Sequence, residues 1–221
     1  QPPTRIAALQ HLVSALGAEA VPRIDRLRTD RDDSVRRALI RSLAQLQDVR
    51  ADEVLRTMTL NDRDPDVRRE ALQALARDLQ DAGVTLLLVQ VMEDTQDSSW
   101  LVRREAMRIV KNFRTANVLP LLLQGATDRR AEVQEAATIG LGEFIEDPRG
   151  EVVDELRVRE TTLALLSASS APVRFAALRL AAYFLGQGED ADLLRIVRER
   201  SEDEDRAVRA QARRLLDERP R

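Results

Sequence analysis

Apolar residues return every three to four positions along most of this chain, the spacing of a helical face, and short polar turns interrupt them at regular intervals. Six stretches share one phrase: DDSVRRALIRSL, DPDVRREALQAL, WLVRREAMRIV, AEVQEAATIGL, APVRFAALRLA and RAVRAQARRLL. Anchored on their valines they begin at Val35, Val67, Val102, Val133, Val173 and Val208, with spacings of 32, 35, 31, 40 and 35 residues by subtraction. Four residues on stand Leu39, Ala71, Ala106, Ala137, Ala177 and Ala212, and eight on stand Leu43, Leu75, Val110, Leu141, Ala181 and Leu216. At roughly 100° per residue these share the valine's face. The small residue in mid-face lets a neighbouring helix approach closely. Three residues before the valines lie Asp32, Asp64, Ser99, Arg130, Ser170 and Asp205, so five of the six copies offer an N-cap oxygen.

Between these helices runs a less regular apolar set: Val21 to Leu27, Val54 to Leu60, Val84 to Met92, Val118 to Leu123, Val152 to Leu166 and Leu193 to Val197. Breakers punctuate the turns, among them Gly17, Asp81-Ala82-Gly83, Asp147-Pro148-Arg149-Gly150 and Gly186-Gln187-Gly188. The first helix, Thr4 to Leu16, has the pattern of the second member of a pair. The period predicts an all-α chain of about six helical-pair repeats plus that half repeat, organised as a single domain over residues 1–221. The opening Gln1 leaves room for a removed segment or a neighbouring domain, so the chain is also readable as part of a longer protein.

Helical pairs at this period, with Asp-x-x-Val-Arg-x-x-x-Ala opening the second helix, resemble HEAT repeats, especially the HEAT-like type of phycobilisome lyases and bacterial scaffold proteins. The resemblance covers almost the whole chain. It implies an α-solenoid whose second helices line a concave face, and a bacterial, cytoplasmic protein. The copy at Val133 departs from the pattern, with Gln134 for Arg and Arg130 for a capping residue, so the repeat ladder should be least regular there.

Composition narrows the chemistry. The 221 residues are 43% hydrophobic but only 3% aromatic, so the core must be built from Leu, Val, Ile and Ala. There is no cysteine and His11 is the only histidine, which removes thiol nucleophiles, zinc ribbons and two-histidine metal sites. No apolar run approaches the roughly 18 residues of a membrane span. Nothing assembles a nucleophile, base and oxyanion site, and the carboxylates sit at caps and turns. A non-enzyme without a cofactor is expected.

Charge is distributed by position. Lys and Arg total 35 against 38 acidic residues, a net charge of −3, and Lys111 is the only lysine. The arginines directly after the valines, Arg36, Arg68, Arg103, Arg174 and Arg209, flank the core and suit a ladder of contacts to Asp in adjacent repeats. Positions two and six after each valine point away from the core. Arginine holds seven of these twelve positions, namely Arg37, Arg41, Arg69, Arg104, Arg108, Arg179 and Arg214, while Gln73, Glu135, Ile139, Phe175 and Ala210 fill the rest. With Lys111 they predict a basic ridge, the acids concentrating in turns and first helices. Two readings are open: an ordinary solvated face, or a surface for an acidic partner gripped by bidentate Arg contacts that weaken with salt.

Ile139 and Phe175 interrupt the ridge; the pair either forms a contact spot for a partner or, as the favoured expectation, buries against the long Asp147 to Leu166 segment. Trp100 is expected in a turn, packed on a neighbouring repeat, and Tyr183 and Phe184 in the core. The leading expectation is a protein-interaction scaffold for an acidic protein surface. Nucleic-acid binding has the right sign of ridge but lacks aromatic platforms and a net positive field. From the family resemblance alone comes a bilin lyase or phycobilisome-associated factor, for which no residue marks a tetrapyrrole site. The last helix, bearing Arg213, Arg214, Asp217 and Glu218, has the polar exterior of a capping repeat.

Overall fold

A computed structural model describes residues 1–77, 82–94, 99–113, 118–148, 153–188 and 190–218. Among the described residues the ordered elements are helical. α1 spans Pro2–Leu16, and a short α2, Val21–Ile24, sits between 3₁₀ turns Gly17–Ala20 and Asp25–Thr29. Then follow α3 (Asp33–Leu43), α4 (Val49–Asn61), α5 (Pro65–Leu75), α6 (Ala82–Glu93) and α7 (Trp100–Val110). After these come α8 (Val118–Ala126), α9 (Ala131–Glu146), α10 (Glu155–Leu166), α11 (Ala171–Gln187), α12 (Ala191–Arg200) and α13 (Arg206–Asp217). These are the helical pairs that the period predicts, in the α-solenoid architecture that the resemblance implies. The chain divides into two compact units, Gln1–Ile109 and Val110–Arg221.

Each unit stacks its second helices side by side: α1, α3 and α5 in the first, α9, α11 and α13 in the second. In the second unit α8, α10 and α12 form the other layer. The valine stripe builds the core as expected: Val35, Leu39 and Leu43 are fully buried, as are Val133, Ala137 and Leu141, and Val173, Ala177 and Ala181. Leu216 is an exception. It is only half-buried, and Leu215 takes its place in the core of α13. Close approach is needed at Gly140, where a Cβ would lie 2.6 Å from Leu122 Cδ2, so α8 presses directly on the backbone of α9.

The capping expectation holds for the aspartates only. Asp32 accepts the Ser34 amide at 2.9 Å, Asp64 that of Asp66 at 2.8 Å, and Asp205 that of Ala207 at 2.8 Å. Arg130 and Ser170 make no side-chain cap bond, and Ser99 turns its hydroxyl to Asp94. The less regular helices are shifted from their predicted limits. α4 begins at Val49, and α10 begins at Glu155 after an Asp154 cap, Val152 lying outside the described residues.

One interlock joins successive repeats. Asp62, five residues before Val67, is buried and bonded on every side. Its Oδ1 accepts the Asp64 amide at 2.9 Å, and its carboxylate takes Arg36 from the preceding repeat at 2.8 and 3.1 Å. Its backbone carbonyl accepts Arg68 of its own repeat at 2.7 Å. Asp203 repeats the arrangement with Arg174 at 2.7 and 2.8 Å and with Arg209 on its carbonyl. Burial pushes the Asp203 carboxyl up, but the Arg174 guanidinium and the Asp205 amide outweigh it and hold it below the usual carboxylate range. Asp30 does the same with Arg5, 2.8 Å away, and accepts Arg36 on its carbonyl at 2.9 Å. Arg5 therefore stands where Arg36 and Arg174 do, so α1 behaves as the second helix of a pair.

The copy at Val133 is irregular in an instructive way. Gln134 still reaches the carbonyl of Asp128, at 2.7 Å, so the bond within its repeat survives the loss of Arg. A neutral amide offers no ion pair to the next repeat, and there Ala168 stands where Asp62 and Asp203 stand in theirs. The rung between α9 and α11 is missing at both ends, and neither helix buries a charge without its counterion.

Candidate interaction surface

The second-helix face is built by the residues two and six positions past each valine, and the structure sorts its cations into two groups. In the first unit Arg37 is half-buried, pairing with Asp33 at 3.3 Å and with Glu70 of α5. Arg69 pairs with Asp66 at 2.8 Å. In the second unit Lys111 pairs with Glu143 at 2.8 Å and Arg214 with Glu218 at 2.6 Å. The expected concentration of acids in turns and first helices leaves exceptions that matter here. Glu70 and Glu143 stand on second helices, within reach of a cation on the neighbouring helix or repeat, and neutralise part of the ridge.

Arg41, Arg104 and Arg179 have no hydrogen bond or ion pair among the described residues. Arg41 is exposed on α3 and shares with Gln10, Ser14 and Gln45 a groove of about 520 Å³ along α1 and α3. Arg104 is half-buried on α7, and Arg108, one turn on, is exposed but not free of partners. Arg179 is exposed on α11.

The aromatic and apolar expectations need correction. Ile139 and Phe175 are not buried; each is 37% exposed, and they line one groove of about 340 Å³ with Arg179. The reason is positional: both point away from the stripe that packs α9 on α11, and nothing among the described residues of the 147–166 segment lines their groove. Trp100 is the first residue of α7 rather than part of a turn, and is half-buried. Tyr183 and Phe184 are also half-buried, packed edge to face with centroids 5.3 Å apart. His11 is exposed.

Sequence reasoning missed the aspartate five residues before the valine, which holds the rungs described at Asp30, Asp62 and Asp203. The signal was present: Asp30, Asp62, Asp97, Asp128 and Asp203 occupy that place, and Ala168 alone departs from it. Among the described residues no group of three or more His, Asp or Glu could hold a metal ion, and no helix is long and apolar enough to cross a membrane.

Residues 1–76 match the family model for HEAT repeats. No curated protein matches the chain. Among solved structures, Escherichia coli YibA is 18% identical with a TM-score of 0.56, the match covering 97% of this chain and 87% of that one. An engineered protein is 21% identical with a TM-score of 0.54, covering 89% of this chain and 95% of its own. Human deoxyhypusine hydroxylase in complex with glycerol matches at 18% identity and a TM-score of 0.43, over 96% of this chain and 88% of its own. Residues 1–76 are thus similar to HEAT repeats, and the stacked helical pairs share the all-helical repeat fold of YibA.

Proposed function

We propose that the protein is a non-catalytic interaction scaffold, or adaptor, that binds an acidic protein along the arginine-rich face of its second helices. The observation that carries this reading is that, of the cations two and six positions past the valines, Arg41, Arg104 and Arg179 have no side-chain partner among the described residues. An exposed guanidinium without a counterion is free to take a carboxylate bidentately. Arg37, Arg69 and Arg108 in the first unit, and Lys111 and Arg214 in the second, act in a second rank. Exposed ion pairs such as Lys111–Glu143 and Arg214–Glu218 hold weakly in water and exchange readily for an incoming carboxylate.

The reading requires no cofactor and places the protein in the cytoplasm of a bacterium. Its test is capture from the source organism at low and high salt, with nuclease treatment, using native protein and the Arg41→Glu/Arg104→Glu/Arg179→Glu variant. A nuclease-resistant protein that is released by salt and absent from the variant's captures is the expected result. Retention of the same protein by the variant contradicts the reading, and a nuclease-sensitive species makes nucleic acid the ligand. The single-domain reading of residues 1–221 is part of the proposal: one unfolding transition is expected, whereas separate transitions for the two units would make each a domain.

A further inference from the structure

On α9, Glu135 and Ile139 stand one turn apart on the face pointing away from the core, and on α11 Phe175 and Arg179 do the same. Counted from their valines, Glu135 and Phe175 hold the second position and Ile139 and Arg179 the sixth. In repeat register the two apolar side chains therefore occupy one diagonal, and a carboxylate and a guanidinium occupy the other. All four line the 340 Å³ groove, which Pro172, the N-cap Asp205 and Ala207 of α13 help to close. Neither Glu135 nor Arg179 has a hydrogen bond or ion pair among the described residues, although they share this groove. Opposite charges on one surface are held apart by an exposed apolar pair. The α13 N-terminus does not compete for an anion, because Asp205 already accepts the Ala207 and Val208 amides at 2.8 and 3.1 Å.

We infer that this groove is a docking site for a short extended peptide that seats one large apolar side chain on Ile139 and Phe175, sets an acidic side chain on Arg179 and directs a basic one toward Glu135. The volume fits one or two side chains, at the small end of ligand cavities. Phe175 supplies the desolvated aromatic anchor, and the two charges fix the direction of the peptide. The inference deepens the scaffold reading and rests on it, adding a sequence rule for the partner that an acidic surface alone would not impose.

The test is selection of a random peptide library displayed on phage against the full chain, in parallel with its Phe175→Ser/Arg179→Glu variant, followed by fluorescence anisotropy on the enriched peptides made synthetically. Enrichment on the native protein of peptides combining a basic, a large apolar and an acidic residue is expected. Phe175→Ser should weaken them about tenfold or more. Arg179→Glu should weaken them as well, with recovery when the acidic residue of the peptide is changed to Lys. Arg41→Glu/Arg104→Glu should leave them bound, which separates failure of this groove from failure of the wider basic face. Equal enrichment on native and variant protein overturns the inference. So does a concentration-dependent dimer that Phe175→Ser abolishes while no peptide is enriched, since the occupant is then a second copy of the chain. Unchanged circular dichroism of Arg179→Glu keeps the result interpretable if Phe175→Ser fails to fold.

Discussion

Arg36 and Arg41 stand five residues apart on α3 and have opposite fates. Arg36 is buried at the turn edge of the repeat, ion-paired to Asp62 and bonded to the Asp30 carbonyl. Arg41 is exposed on α3 with no side-chain partner among the described residues. The difference follows from angle on the helix, since one position faces the next repeat's aspartate and the other faces water. The same residue type therefore serves cohesion in one region and availability in the other. A buried guanidinium must be matched, because an uncompensated charge there is costly; an exposed one is solvated and need not be.

The comparison can be broken hardest at the buried edge. Asp62→Ala strands Arg36 and should cost about 3–5 kcal/mol in urea unfolding, while Arg36→Met with Asp62→Leu should cost clearly less than the single change. Acid comes next. Asp30 and Asp203 are held below their ordinary range, so each contributes stability present above about pH 4 that is lost as pH falls toward the folded value. The urea midpoint should fall below that pH, and less steeply in Asp203→Asn with Arg174→Gln. Restoring the missing rung is a smaller effect. Gln134→Arg and Ala168→Asp should each be unfavourable or neutral alone and favourable together, with a coupling of about 0.5–3 kcal/mol in a double-mutant cycle. Smallest are the caps: Asp64→Ala should lose about 1 kcal/mol, and Ser170→Ala, whose hydroxyl caps nothing, should fall within about 0.5 kcal/mol of native.

The architecture was legible because it is written six times. Valine, alanine and the residue four further on all follow helical geometry, and a pattern repeated at fixed spacing survives local exceptions such as Gln134. The ladder was half legible: its arginines stood out, while its aspartates were hidden among 38 acidic residues, most of them ordinary surface charge. The state of the ridge was not legible. Whether Arg37 meets Glu70 depends on the distance between two helices, which a one-dimensional pattern does not contain. The exposure of Ile139 and Phe175 was missed for a related reason. An apolar residue off the core stripe invites a burial partner, and only the packed chain shows that the nearby segment does not supply one.

The central claim is that the unpartnered arginines bind and the buried ones hold. It is tested most directly by anisotropy titration of fluorescein-labelled poly-glutamate with native protein and with Arg41→Glu/Arg104→Glu/Arg179→Glu, at low and at physiological salt. The expected result is binding by the native protein that weakens with salt, and its loss in the variant while the urea midpoint of unfolding stays unchanged. Equal binding by the variant, or a fall in its midpoint as large as that of Asp62→Ala, would contradict the claim.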